Sequence, residues 1–288
     1  MNNNDTVKER PWSIVIEPAT SLFMVDFAEI WRYRDLWAMM VRRDLVTLYK
    51  QTVLGPLWFF IQPIMTTVMY MVVFGGIAKI PTDGVPQPLF YLAGICIWQY
   101  FADCLGKTSH TFTGNAGVFG KVYFPRLVVP LSYVTSSLFK LAIQFSLFLI
   151  VYFYFIFTGA NVHPNLHALL FPVLIVILAA LGLGFGIIFS SMTTKYRDLS
   201  FLLGFFVQLW MYATPVIYPL STIANPKMKL VMSLNPLTGV LEAFKYGVLG
   251  AGNFSWGLLG YSAGFAVVLV GLGIVVFNQV QRSFIDTV

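Results

Sequence analysis

Charge is what this sequence has least of. Only 10% of its 288 residues are Asp, Glu, Lys or Arg, whereas a soluble globular protein carries about 25%. Hydrophobic residues make up 58% of the chain, and its mean hydropathy is +0.76. A deficit of charge over the whole length excludes an ordinary soluble domain and indicates an all-α integral membrane protein.

Groups that could carry out a reaction are scarce as well. The two cysteines, Cys96 and Cys104, have no histidine at ligand spacing and predict neither a zinc site nor a disulfide framework. His163 and His167 have the spacing of ligands on one helix, but Pro164 intervenes and no acidic residue accompanies them. We therefore expect no catalytic residue, no metal site and no nucleic-acid partner.

A phosphate-binding loop is also missing. Its usual ending occurs once, as Gly106-Lys107-Thr108, but Phe101 stands where the loop needs another glycine. This stretch also follows an apolar segment and not a buried strand. We expect no ATP site and no other cofactor in the chain itself.

Long apolar segments are abundant, and about 20 such residues form a helix that crosses a membrane. Six segments are predicted as spans: 57–77, 89–102, 127–157, 169–192, 199–220 and 258–277. Leaving Lys140 aside, thirteen of the Lys and Arg residues fall on one side and four on the other. Cationic residues favour the cytoplasm, so both termini are predicted to be cytoplasmic.

Two further segments are more than loops. Residues 36–52 have the pattern of a basic amphipathic helix lying on the cytoplasmic surface, with an apolar face that includes Trp37 and Val41. We therefore divide the chain into a cytoplasmic N-terminal segment, residues 1–56, and a six-span domain, residues 57–288. Residues 221–253 predict one or two short re-entrant or interfacial helices at the outer face, before the last span.

Small residues recur every four positions in two places, Gly182–Gly186–Ser190 and Gly260–Gly264. Such stripes let helix backbones approach closely in lipid. The contact could be within one chain or between two copies, and the sequence does not distinguish the two.

Asp103 and Lys140 are the two charges embedded in the predicted spans. An embedded charge costs about 3 kcal/mol and usually faces a cavity or a partner. Alternatively, either side chain could extend to the cytoplasmic headgroups.

Uncharged polar and aromatic residues are concentrated in the first and fifth predicted spans. Gln62, Thr66 and Tyr70 are spaced by four and share one helix face with few other polar groups nearby. Aromatic faces with sparse hydrogen-bonding groups suit a sugar chain, whereas an ion path would need rings of charge or exposed carbonyls. Packing combined with an interfacial aromatic belt is the alternative.

Four stretches, in order, carry a resemblance to a known family: "RYRDLWAMMVRRDLVTLYKQTVLGPLWFFIQPI" at 32–64, "KVYFPRLVVPLS" at 121–132, "KYRDLSFLLGFFVQLWMYATPVIYP" at 195–219 and "LNPLTGVLEAF" at 234–244. Over residues 30–285 the chain resembles the permease subunit of ABC-2 type exporters of lipid-linked polysaccharides such as O antigen, capsule or teichoic acid. The N-terminal extension and "YKQTVLG" most resemble the O-antigen branch.

The resemblance implies a multi-pass protein of the bacterial inner membrane that pairs with itself and with two cytoplasmic ATPase subunits, which bind ATP-Mg. It implies a lipid-linked glycan as cargo, on an undecaprenyl-pyrophosphate carrier. The residues it assigns to line the channel are Trp58, Gln62, Thr66, Tyr70, Phe205, Gln208, Tyr212 and Tyr218. Those assigned to lipid headgroups are Arg42, Arg43 and Lys50; to ATPase coupling, Lys121, Arg126, Arg197 and Asp198; and to an outer gate, Pro215, Pro219, Asn235 and Pro236.

Three alternatives remain at this point. An ABC-2 exporter of small amphipathic compounds would share the spans and coupling loops. A membrane-embedded glycan polymerase or transferase would need catalytic residues on large loops, and the predicted outer loops are short. A proton-driven transporter would show paired embedded carboxylates and internal repeats, and neither is found in the sequence.

Overall fold

The computed structural model describes residues 26–50, 53–160 and 162–284. This part of the chain forms α-helices joined by short turns and contains no strand. In chain order the helices are α1 Phe27–Arg32, α2 Arg34–Tyr49, α3 Trp58–Tyr70, α4 Gln87–Ser109, α5 Thr111–Phe119, α6 Val128–Phe157, α7 Phe171–Lys195, α8 Leu199–Tyr212, α9 Pro226–Ser233, α10 Pro236–Leu249 and α11 Trp256–Phe284.

Five of the helical segments are long and apolar enough to cross a membrane. They include α3, α4, α6, α7 and α11, with α3 extended at both ends to Gly55–Ile77 and α7 extended back to Leu166. These segments confirm five of the six predicted spans. The second span is longer than predicted, because the helix continues through Asp103 to Ser109.

The fifth predicted span, 199–220, is wrong as a continuous helix. The helix there, α8, has 14 residues and ends at Tyr212, which at 1.5 Å per residue gives about 21 Å. Pro215 explains the end, because the residue before a proline is disfavoured in helical conformation and proline donates no hydrogen bond. Residues 214–217 follow as irregular chain and are buried, a state tolerated at membrane depth only inside protein.

Helix α4 lies at the centre of the fold. It packs against α6 on one side and α7 on the other, and most of its residues are buried, among them Phe90, Tyr91 and Phe101. A helix that is apolar all round is expected to be enclosed by its neighbours. The other spans lie around it and expose large apolar faces in the single chain.

The first small-residue stripe serves contact within the chain. A Cβ atom placed on Gly182 would lie 2.5 Å from Cβ of Cys104 on α4, and the hydroxyl of Ser190 accepts a hydrogen bond from the Phe112 backbone N–H at 3.1 Å. The second stripe differs, because a Cβ on Gly260 or Gly264 would meet nothing within 4 Å. Its surface is therefore open in the single chain.

Helix α2 lies where the amphipathic helix is predicted. Its apolar face packs against α6, Val41 is buried, and Trp37 Nε1 donates to Thr135 Oγ1 at 3.2 Å. Residues 51–52 of the predicted helix, and residues 1–25 of the predicted N-terminal segment, lie outside the described residues. The division at residue 56 stays a prediction.

Residues 221–253 contain two helices, α9 and α10, as predicted. Each begins with Asn-Pro: the side chain of Asn225 accepts from the Lys227 N–H and that of Asn235 from the Leu237 N–H. Asparagine at the cap and proline in the first turn are favoured helix starts. Helix α10 ends at Gly250 in the left-handed region, φ +74°, where a Cβ would lie 2.5 Å from the His163 carbonyl oxygen.

Candidate functional site

A small polar cavity lies between α3, α4, α6 and α8. Its volume is about 70 Å³, and it is lined by Gln62, Pro63, Thr66, Tyr70, Ile95, Trp98, Gln99, Gln144 and Met211. The structure thus brings Gln62, Thr66 and Tyr70 together on one face, as their spacing predicts. It adds two glutamines from neighbouring helices, which the sequence analysis missed.

The two embedded charges form an ion pair next to this cavity. Lys140 Nζ lies 2.8 Å from Asp103 Oδ2, and the side chains are 13% and 18% exposed. The amide of Gln99 donates to the other carboxylate oxygen at 3.1 Å. The two charges therefore face each other as partners within the helix bundle, in agreement with the first of the two expectations for embedded charges.

A sequence signal for the missed glutamines exists. Gln99 is four residues before Asp103, and Gln144 is four residues after Lys140, so each lies one turn from a charge on the same helix. Polar residues spaced in this way within apolar spans indicate a continuous polar seam. The seam runs from the ion pair to Gln62 and Thr66.

Helix α8 presents an aromatic stripe next to α3. Phe205, Gln208 and Tyr212 lie on one exposed face of α8, and Trp58 of α3 is 51% exposed. The two helices are joined where the hydroxyl of Tyr70 donates to the sulfur of Met211 at 3.3 Å. In the single chain these side chains form an outer surface and not an enclosed channel.

The remaining ring assigned to the channel lies at the end of the stripe. Tyr218 is half-buried, and its hydroxyl donates to the Tyr212 carbonyl at 2.9 Å. It thereby closes the turn that follows α8. Tyr218 fixes this turn, whereas the other α8 residues of the set are presented outward.

The residues predicted for an outer gate meet in the structure. The amide of Asn235 donates to Thr214 Oγ1 at 2.8 Å and to the Ala213 carbonyl at 3.1 Å. Pro215, Pro219 and Pro236 are all buried. One asparagine therefore caps α10 and also ties it to the end of α8.

Lys245 holds the same region and was missed as a site residue. It is 1% exposed, its ammonium donates to the carbonyls of Pro215 and Val216 at 2.6 and 3.3 Å, and it lies 3.9 Å from the Phe90 ring centroid. Burial lowers the pKa of Lys245 to about 8, against the opposing effect of the Glu242 and Asp83 charges. The sequence analysis counted Lys245 among the four cations of the outer side and did not single it out.

Glu242, one turn before Lys245, is also buried. One carboxylate oxygen accepts from the Asn253 N–H at 3.0 Å, and the other has no hydrogen-bond partner among the described residues. Two opposite charges three residues apart in the apolar stretch "VLEAFKYGV" are the signal that could have identified this pair.

The charged residues assigned to the cytoplasmic face do not share one environment. Five of them are exposed: Arg42, Lys50, Lys121, Arg197 and Asp198. Arg43 is also exposed but pairs with Asp44 at 3.0 Å.

Arg126 differs from the other residues assigned to coupling. It is 8% exposed, donates to the Gln281 carbonyl at 3.1 Å and lies 5.3 Å from the Phe119 ring centroid. This arginine braces α11 against the segment before α6. The coupling assignment needs a charge on the surface, whereas the charge of Arg126 is buried.

Comparison with known proteins gives one family and several relatives. The profile of the ABC-2 type transporter family matches residues 35–249. The O-antigen export system permease protein RfbA of Myxococcus xanthus is 28% identical over 219 residues, which cover 75% of this chain and 81% of that protein. Two proteins of the same name from Klebsiella pneumoniae are 29% and 27% identical over 257 residues, covering 88% of this chain and 94% of each relative.

Proposed function

The chain belongs to the ABC-2 type transporter family, and on this premise we propose that it is the membrane-spanning permease subunit of an O-antigen exporter. Relatives that carry this name align over 88% of the chain, so the proposal covers the membrane domain as a whole. The observation that carries it furthest is the aromatic and polar surface shared by α3 and α8. A path for a sugar chain needs such a surface, with few charges and many ring faces.

The cargo passes along this surface. Trp58 of α3 and Phe205 and Tyr212 of α8 offer exposed rings, and Gln62 and Gln208 offer exposed hydrogen-bonding groups on the same two helices. Ring contacts contribute on the order of 1 kcal/mol each, which guides a glycan without holding it. The path is completed by a second copy of the chain, since α3 and α8 leave it open on one side.

The cargo is linked to a lipid through a diphosphate, as in an undecaprenyl-pyrophosphate carrier. This part of the proposal is supported by the basic residues Arg42 and Lys50 on the exposed face at α2. Cations near an anionic inner leaflet attract phosphate groups by about 1 kcal/mol each. The headgroup enters from this cytoplasmic side.

Energy for transport comes from two ATPase subunits that bind ATP-Mg below the membrane domain. The exposed residues Lys121, Arg197 and Asp198 lie in the predicted cytoplasmic connections, where they can contact such partners. This chain breaks no bond in the cargo. It provides the path and changes its shape in response to the ATPases.

The test is made in the native host, with the gene deleted and then complemented. Complete lipid-linked glycan accumulating on the cytoplasmic side, with none on the surface, is expected. Short or absent glycan everywhere would instead identify a glycan polymerase or transferase. Unchanged surface glycan would leave an exporter of small amphipathic compounds.

Point variants test the path itself. Trp58→Ala and Tyr212→Ala are expected to slow export while leaving assembly with the ATPase intact. The matched control is Tyr154→Ala, because Tyr154 is 63% exposed but lies on α6, away from this surface. Equal loss of export in the control would contradict the assigned path.

A further inference from the structure

An apolar groove lies between α2 and α6, and of its lining residues only Arg42 was given a role above, at the entry of the cargo headgroup. Its volume is about 450 Å³, and its lining residues are Arg34, Trp37, Ala38, Val41, Arg42, Leu45, Thr135 and Phe139. The wall is fixed by the hydrogen bond from Trp37 to Thr135. Ala38 has the smallest side chain in the lining, and it leaves space between the helices.

Two arginines flank this groove without a partner. Arg34 and Arg42 are exposed and form no ion pair or hydrogen bond within the described part of the chain, and no acidic residue lines the groove. Arg43, the next residue, is engaged by Asp44 at 3.0 Å. The positive charge at the groove is therefore available for an anion, whereas the charge of Arg43 is largely compensated.

The apolar wall and the charges lie in the order that a lipid would need. Phe139 is 50% exposed and continues the groove onto the outer face of α6, which meets the acyl chains of the bilayer. Arg34 and Arg42 are two helical turns apart along α2, about 12 Å. An amphipathic helix in this position holds its cations at headgroup level and its apolar face at the acyl boundary.

We propose that this groove binds an anionic glycerophospholipid of the inner leaflet. One acyl chain lies along Trp37, Val41 and Phe139, and the phosphate lies against Arg42 or Arg34. Charge complementarity and continuity with the lipid-facing side of α6 favour a lipid over a protein partner. The inference rests on the proposed function only for the placement of α2 at the cytoplasmic leaflet.

The test measures lipid binding to the purified full-length protein. Phosphatidylglycerol and phosphatidylcholine are titrated in detergent, and bound lipid is counted by native mass spectrometry. The unaltered protein is expected to prefer phosphatidylglycerol. Arg34→Gln and Arg42→Gln should each raise its dissociation constant about fivefold, since a cation near the surface contributes about 1 kcal/mol.

Two more variants separate the groove from general charge. Ala38→Leu fills the groove but keeps both arginines and a good helix former, and it should weaken binding of both lipids. Arg32→Gln removes an exposed charge on α1 outside the groove and should leave the preference unchanged.

Three results would overturn the proposal. One is equal loss of binding in Arg32→Gln, and another is unchanged binding in both Arg34→Gln and Ala38→Leu. The third is displacement of phosphatidylglycerol by a polyprenyl diphosphate at a lower concentration than by phosphatidylcholine, which would assign the groove to the carrier lipid. The lipid titration uses purified protein and contains no glycan, so its outcome does not depend on export. A failure of export in cells would therefore count against the proposed function and not against lipid binding in the groove.

Discussion

Replacing one member of the Asp103–Lys140 pair should cost more than replacing both. At 2.8 Å the attraction between two unit charges is about 6 kcal/mol for an effective dielectric constant of about 20. Much of this is offset by the cost of taking both charges out of water. Removal of one partner strands the other charge in an apolar bundle, where it costs about 3 kcal/mol.

The variants are Asp103→Asn, Lys140→Met and the two combined. Each single change is expected to lower the free energy of unfolding by about 3 kcal/mol, and the combination by no more than either alone. The coupling energy is then about 3 kcal/mol, within the range for residues in direct contact. Unfolding by sodium dodecyl sulfate in mixed micelles, followed by circular dichroism, measures all four proteins.

Lys107→Met provides the control. Lys107 lies one turn after Asp103 on α4 and donates to Ser136 at 3.4 Å, outside the pair, so its loss should cost less than 1 kcal/mol. Simple addition of the two single effects in the double variant would refute the reasoning. The charges would then act separately, each through its own contact with headgroups.

Three further predictions follow from contacts in the core and the outer region. The folded-state pKa of Lys245 is lowered from 10.5 to about 8, so between these pH values the unfolded chain binds more protons than the folded protein. The free energy of unfolding should therefore rise between about pH 8 and 10.5, on the order of 3 kcal/mol in total. Lys245→Met should abolish this rise when the free energy is measured by chemical unfolding at each pH. Gly182→Ala should lower the free energy of unfolding by about 1–3 kcal/mol because its Cβ would overlap Cys104, whereas Gly260→Ala should change that of the monomer by less than 0.5 kcal/mol. Equal shifts in melting temperature for the two variants would contradict the assignment of the two stripes. Asn235→Ala should lower the free energy of unfolding by about 1 kcal/mol through loss of the α10 cap, and it should also release Thr214. Faster proteolysis between residues 213 and 220 is the expected result, and an unchanged cleavage rate would contradict this role.

Composition and periodicity predicted the parts of this fold that depend on local sequence. Five spans follow from apolar segments of sufficient length, and the outer helices follow from the amphipathic content and the length of residues 221–253. The shared face of Gln62, Thr66 and Tyr70 follows from helical spacing alone. These properties belong to single elements and need no knowledge of their neighbours.

What could not be predicted depends on the register between elements. Whether Asp103 meets Lys140 is decided by how far α4 slides along α6, and no local pattern fixes that. The end of α8 at Tyr212 is tolerated because Lys245 and Asn235 supply donors to the irregular chain that follows. The burial of Arg126 likewise depends on where α11 places the Gln281 carbonyl, 155 residues further along the chain.

The attachment of α8 gives the molecule an uneven stiffness. Helix α4 touches α7 backbone to backbone through the glycine stripe, whereas α8 is held by few side chains, chiefly Trp210, whose ring centroid lies 5.2 Å from that of Phe101 and 5.1 Å from that of Phe185. In lipid the outer face of α8 gains nothing from further burial, because acyl chains are as apolar as its side chains. Rotation of α8 about its Trp210 contacts would therefore expose no new apolar surface to water, and it would leave the close α4–α7 contact unchanged.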